Sequence, residues 1–186
     1  MNTTKYLKVF CLTLLALPLL AASPCLAGDA STPISPLEPL AFLVGGEWEA
    51  KLPPQADGRQ ISIMAHFTWA NNHQAIRISN NYALGAKMAP YVDGIYAWHP
   101  GKRVIVFSYV DARGNFYEGT VKPETNGLLH EFAMTDPKGQ VTQFTARQTR
   151  DGGSAWVNEI FTRQDGHLTP EVKVRYEKVK TAPNKN

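Results

Sequence analysis

The sequence predicts an all-β fold: a single antiparallel up-and-down barrel of about ten strands, with a short N-terminal helix covering one end. Three observations predict it. From Gly46 onward apolar and polar residues alternate with period 2, the repeat of a half-buried strand. Turn-forming pairs recur about every 8 to 14 residues. No segment long enough for a crossover helix lies between them, which leaves a closed meander or a two-sheet sandwich. Closure removes the edges that ten consecutive strands would expose, and this favours the barrel.

The chain opens with a targeting pattern. Lys5 and Lys8 form a basic start and Val9 to Ala22 an uncharged apolar stretch of 14 residues. Cys25-Leu26-Ala27 then offers small residues at the −3 and −1 positions of a cleavage site. Residues 1–27 read as a secretory signal peptide, so the protein is expected in the periplasm or outside the cell. As a membrane span the stretch is too short, because about 20 apolar residues are needed, and Pro18, Ser23 and Pro24 shorten it further.

Cleavage after Ala27 removes both cysteines, Cys11 and Cys25, so the exported domain forms no disulfide. Lipid attachment at Cys25 is the competing reading, and Pro24 immediately before it suits such processing poorly. Of 19 basic residues, Lys5 and Lys8 are lost, leaving 17 against 16 acidic ones. A near-neutral domain gives no electrostatic basis for a nucleic-acid or anionic-membrane partner. Nothing in the composition bears on oligomeric state.

Residues 28–34 are small, polar and Pro-containing and read as a flexible leader, as do 181–186 for a tail. The barrel domain is placed at 35–180. Its first element is a helix: Ser35-Pro36-Leu37-Glu38 has the capping-box pattern with proline at the first helical position. Leu37, Leu40, Ala41, Leu43 and Val44 share one face, and Gly45-Gly46 supplies a left-handed stop. Pro39 weakens its first turn.

Ten strands follow, over 46–52, 60–69, 75–82, 91–98, 103–110, 116–122, 127–134, 140–148, 154–162 and 171–179. One hairpin is registered: with Asn71-Asn72 as a two-residue turn, Phe67 faces Ile76, Ala65 faces Ile78 and Ile61 faces Tyr82.

The run Leu40-Ala41-Phe42-Leu43-Val44-Gly45-Gly46-Glu47-Trp48, a helix entering a strand marked by Gly46-Glu47-Trp48, resembles the opening of lipocalin-like (calycin) barrels. Phe67-Thr68-Trp69 and Gly94-Ile95-Tyr96-Ala97-Trp98-His99-Pro100 match the same cadence. The chain looks closest to small secreted bacterial domains of unknown function with this barrel and is more remotely similar to nitrobindin-like haem barrels. The resemblance implies a binding protein for small molecules. In the haem barrels a histidine on the last strand holds iron, whereas 172–179 contains none and His167 precedes it. No cofactor is expected.

The last strand shows its facing most clearly, since Val172, Val174 and Tyr176 alternate with Lys173, Arg175 and Glu177. The same logic turns Tyr117, Gly119 and Val121 inward. The expected ligand lining is Phe67, Trp69, Ile76, Ile78, Tyr82, Tyr117, Phe132, Trp156 and Tyr176, an apolar and aromatic set suited to a small hydrophobic or amphipathic molecule. The same residues would equally fill a solid barrel.

Two strands leave a polar choice open: either His130 or Glu131 faces in, and either Asn158 or Glu159. An inward His130 near Glu159 would make an acid/base pair and an isomerase or lyase on the same scaffold. A filled barrel acting through its outer surface on another envelope protein is the third reading. No catalytic residue is assigned. The five histidines lie at least seven residues apart, so no dedicated metal site is expected, and there is no Gly-x-Ser-x-Gly elbow for a nucleophile.

Overall fold

The computed structural model describes residues 35–179. The expected signal peptide, leader and tail lie outside the described residues. Ten strands form one closed antiparallel barrel: β1 Glu47–Lys51, β2 Ile61–Ala70, β3 Ala75–Leu84, β4 Lys87–His99, β5 Val104–Asp111, β6 Phe116–Glu124, β7 Gly127–Thr135, β8 Val141–Arg150, β9 Ala155–Gln164 and β10 His167–Lys178. Each strand pairs with its sequence neighbours, and β1 closes the ring against β10 through Trp48–Lys178 and Glu49–Glu177.

Alternation sets the two faces. Phe67, Ile76, Tyr96, Phe107, Leu128 and Trp156 are buried inside. The outer face carries ion pairs, among them Arg147–Glu124, Arg163–Glu131 and Lys173–Glu159. That polarity is the reverse of a lipid-facing barrel. Among the described residues no helix is long and apolar enough to cross a membrane.

The first element is a 3-10 helix over Glu38–Leu43 and not the two- to three-turn α-helix expected. Pro39 has no N–H for the i→i−4 bond that an α-turn would require of it, and proline disfavours the α conformation in the residue before it. The chain tightens accordingly: Leu40 N–H donates to Leu37 O at 2.9 Å and Val44 N–H to Ala41 O at 3.1 Å. Three residues per turn put Leu37, Leu40 and Leu43 in one row, each at most 1% exposed in the core. The Ser35 hydroxyl accepts from Leu37 N–H at 3.2 Å. Leu43 O accepts the indole N–H of Trp48 at 2.7 Å, which ties this helix to the first strand. Gly45, at φ +83°, makes the stop that its sequence position predicts.

The first hairpin differs from expectation in register. Ala70 pairs with Ala75, so the turn has four residues, and Asn71, Asn72 and His73 are all left-handed at φ 50°, 53° and 65°. Phe67 thus faces Ile78, and Ile63 faces Tyr82. Because the slip is two residues, the inward set is unchanged.

β4 and β10 begin earlier than predicted because Pro90 and Pro170 sit beside bulges, where a missing N–H is tolerated. In β4 the register shifts between Asn80–Val92 and Asn81–Pro90, leaving Tyr91 as the extra residue.

Candidate functional site

The barrel is filled at one end and hollow toward the other. At the filled end the three leucines of the 3-10 helix, Trp48, Ile76 and Leu128 belong to one core. Beyond them a cavity of about 320 Å³ is lined by residues that include Leu52, Tyr82, Tyr91 and Val172 at the opposite end. Tyr82 and Val172 are 37% and 44% exposed and mark its mouth.

Phe67, Ile78, Tyr82, Tyr117, Phe132, Trp156 and Tyr176 lie on the cavity wall. Trp69 and Ile76, expected beside them, do not. Ile76 is buried in the filled half, and Trp69 stacks on His73 at 4.7 Å next to the turn. Tyr91, Tyr96, Tyr109, Phe144, Asn80 and Gln148 also line the cavity and were missed. The bulge in β4 brings both Tyr91 and Val92 to the wall, and no sequence pattern announces it. Tyr109 lies in the run Val104-Ile105-Val106-Phe107-Ser108-Tyr109, apolar on both faces. Gln148 was legible, since Phe144, Ala146 and Gln148 alternate with Thr145 and Arg147.

All six tyrosines of the described residues wall this one cavity. Their rings are layered: Tyr82 on Tyr91 at 4.1 Å, Tyr109 on Tyr117 at 4.8 Å, and Trp156 on Tyr176 at 4.0 Å. Gly94 and Gly119 stand opposite Tyr109 and Phe132, and a side chain at either glycine would collide with the neighbouring strand. Burial raises the hydroxyl pKa of Tyr96, Tyr109 and Tyr176, so all three remain neutral phenols.

The polar choices resolve by strand parity. On β7 His130 faces in, paired with Val121 and Ala146, and Glu131 faces out to Arg163 at 3.1 Å. On β9 Asn158 faces in, and Glu159 faces out to Lys173 at 2.9 Å. Of the four possible interior polar residues, Glu131 and Glu159 are therefore the outward members of their pairs, and no His130–Glu159 pair forms. A carboxylate is more stable beside an exposed cation than in an apolar lumen.

His130 lies below the cavity floor, edge-on to Phe107 and Tyr96 at 5.3 and 6.0 Å. Neither ring nitrogen has a partner, and burial pulls its pKa from 6.5 to about 3. His167 opens β10 at the rim, exposed and paired with Gln164. Among the described residues no three His, Cys, Asp or Glu side chains cluster as metal ligands would.

Four cavity-lining residues carry a buried polar atom that no protein group reaches: Asn80 Oδ1, Gln148 Oε1, Asn158 Oδ1 and Trp156 Nε1. At the mouth Asp111 is fully engaged. It accepts from Asn115 Nδ2 at 2.8 Å, from the N–H groups of Arg113 and Asn115 at 2.9 and 3.0 Å, and from the Tyr117 hydroxyl at 3.1 Å. Burial alone would raise its pKa, but these hydrogen bonds outweigh it and hold the carboxyl below its ordinary value. This carboxylate builds the β5–β6 turn and fixes Tyr117.

No family model matches the chain, and no curated protein matches its sequence significantly.

Proposed function

We propose that this protein is an exported, lipocalin-like binding protein that holds a small hydrophobic or amphipathic molecule inside the barrel. The observation that carries the reading is the tyrosine-walled cavity with four buried polar atoms lacking protein partners. An interior of this kind is the arrangement that a ligand with one or two polar groups completes, since each buried unpaired group otherwise costs about 1–3 kcal/mol. The signal-peptide pattern of residues 1–27 supports export, and Gly46-Glu47-Trp48 supports the lipocalin-like relationship.

Native mass spectrometry of the protein purified from its own host tests the reading. A mass above that of the chain, released on denaturation, is expected; a ligand-free protein that takes up no small apolar compound sinks it. N-terminal sequencing of the same sample should begin at Gly28, and an intact Met1 would remove the export half.

A further inference from the structure

The rim of the barrel's open end is uneven. β4 meets β5 only from Val92 onward, so residues 87–90 have β3 as their one strand neighbour and the β3–β4 hairpin overhangs the mouth. Asn80, Tyr82 and Leu84 follow one another on the inner face of β3: the first lines the cavity, the second stands at its mouth and the third lies beyond it. Outside the mouth the hairpin borders an open groove of about 590 Å³, with Leu52, Ile61, Leu84, Met88 and Ala89 in its walls and Lys87 as its one charged residue. Met88 is 57% exposed there. Leu52 and Tyr82 belong to both groove and cavity, so one apolar surface runs from the lumen to the outside.

The unpaired polar groups lie at the other end of this path. Gln148 Oε1, Asn158 Oδ1 and Trp156 Nε1 are buried without partners. Gln148 pairs with Leu128, and Trp156 packs edge-on against Trp48, both members of the filled core. Each amide offers a donor as well as an acceptor, and so do the tyrosine hydroxyls of the same wall. The deep part of the cavity therefore suits a polar group of either hydrogen-bonding sense, whereas the groove offers apolar side chains and a single lysine. From Asn80 to Leu84 the path covers four residues of strand, about 13 Å.

We infer that the ligand is an elongated amphiphile seated head first: a compact polar head among Gln148, Asn158 and Trp156, and an apolar tail that leaves past Tyr82 and lies in the groove against Leu84 and Met88. This rests on the binding reading above and specifies its ligand class. The head satisfies groups that are otherwise desolvated and unpaired. The tail removes the apolar surface of the overhanging hairpin from water. Seating in the reverse sense, tail inward, would leave the deep amides and the indole unpaired and the groove bare. Continuity with the cavity assigns the groove to the ligand's tail and not to a protein partner.

Two phenols with the same head and different tails test this by calorimetry: 4-propylphenol, short enough to stay in the cavity, and 4-octylphenol. Octylphenol should bind at least about tenfold tighter through its additional buried methylenes. Leu84→Ser/Met88→Ser should weaken octylphenol at least about fivefold and change propylphenol by less than about twofold, with Met88→Ser alone as the milder variant and thermal melting as the folding control. Gln148→Leu should weaken both phenols by the same factor, about fivefold. Octylphenol binding no tighter than propylphenol, or untouched by the groove variants, overturns the inference and points to a protein partner or a second copy as the groove's occupant. So does an equal loss for both phenols in the groove variants. Gln148→Leu weakening propylphenol while sparing octylphenol would show the longer ligand seated tail inward, which also overturns it. Absence of heat with both phenols does the same. If the protein from its own host then carries no small molecule, the binding reading falls too.

Discussion

Gln148 on β8 and Asn158 on β9 are Cα partners that both line the cavity, and the carbonyl oxygen of each is buried with no hydrogen-bond partner. In a core built only for stability these positions would be apolar. Gln148→Leu should therefore raise the unfolding free energy in urea by about 1 kcal/mol. Unchanged or lowered stability would mean that the amide is already satisfied in the folded state.

His130 makes a pH prediction with a definite sign. Unfolded, it takes up a proton near 6.5; folded, it resists protonation down to about 3. Over that interval the unfolded state binds more protons, so stability falls as pH falls, by about 1.4 kcal/mol per unit. Between pH 7 and pH 5 the loss attributable to this residue is about 2 kcal/mol. His130→Leu should flatten that part of the profile, and identical pH slopes in the two proteins would show that the histidine is not buried in its neutral form.

Asp111 acts in the same direction, over a lower pH range. Its depressed pKa means that its contribution is present above the ordinary carboxylate range and is lost as pH falls through the folded value. Asp111→Asn puts an amide where three N–H donors and a hydroxyl converge. A loss of about 2–3 kcal/mol at neutral pH is expected by chemical denaturation. Loss below 0.5 kcal/mol, roughly the level of an ordinary surface substitution, would remove Asp111 as the organiser of the mouth.

Gly119 faces Phe132 so closely that an added Cβ would meet both its side chain and the backbone of β7. Gly119→Ala should lower the melting temperature, with a loss of about 1–3 kcal/mol from overpacking. A neutral outcome would mean that β6 and β7 move apart freely.

Much of the barrel was legible because its signals are local. Val172-Lys173-Val174-Arg175-Tyr176 declares its inward face without reference to any other strand, and Gly45 its turn. The hairpin register was not legible, because Asn71 and Asn72 suit a two-residue turn and a four-residue one alike. That error left the lining intact, since a slip of two residues preserves every facing.

The sequence alone determined the fold class, the strand count and the inward set at most positions, because a strand's side chains alternate whatever it pairs with. It left His130 against Glu131 and Asn158 against Glu159 open, since strands seven and nine carry apolar residues on both faces. Only the tertiary structure decided depth. The seat of the 3-10 helix makes Ile76 filler, the bulge at Tyr91 adds that ring to the wall, and the pairing of β8 with β9 sets two unpartnered amides together. Those outcomes depend on strand stagger around a closed ring, a property of all ten strands at once that no single segment encodes.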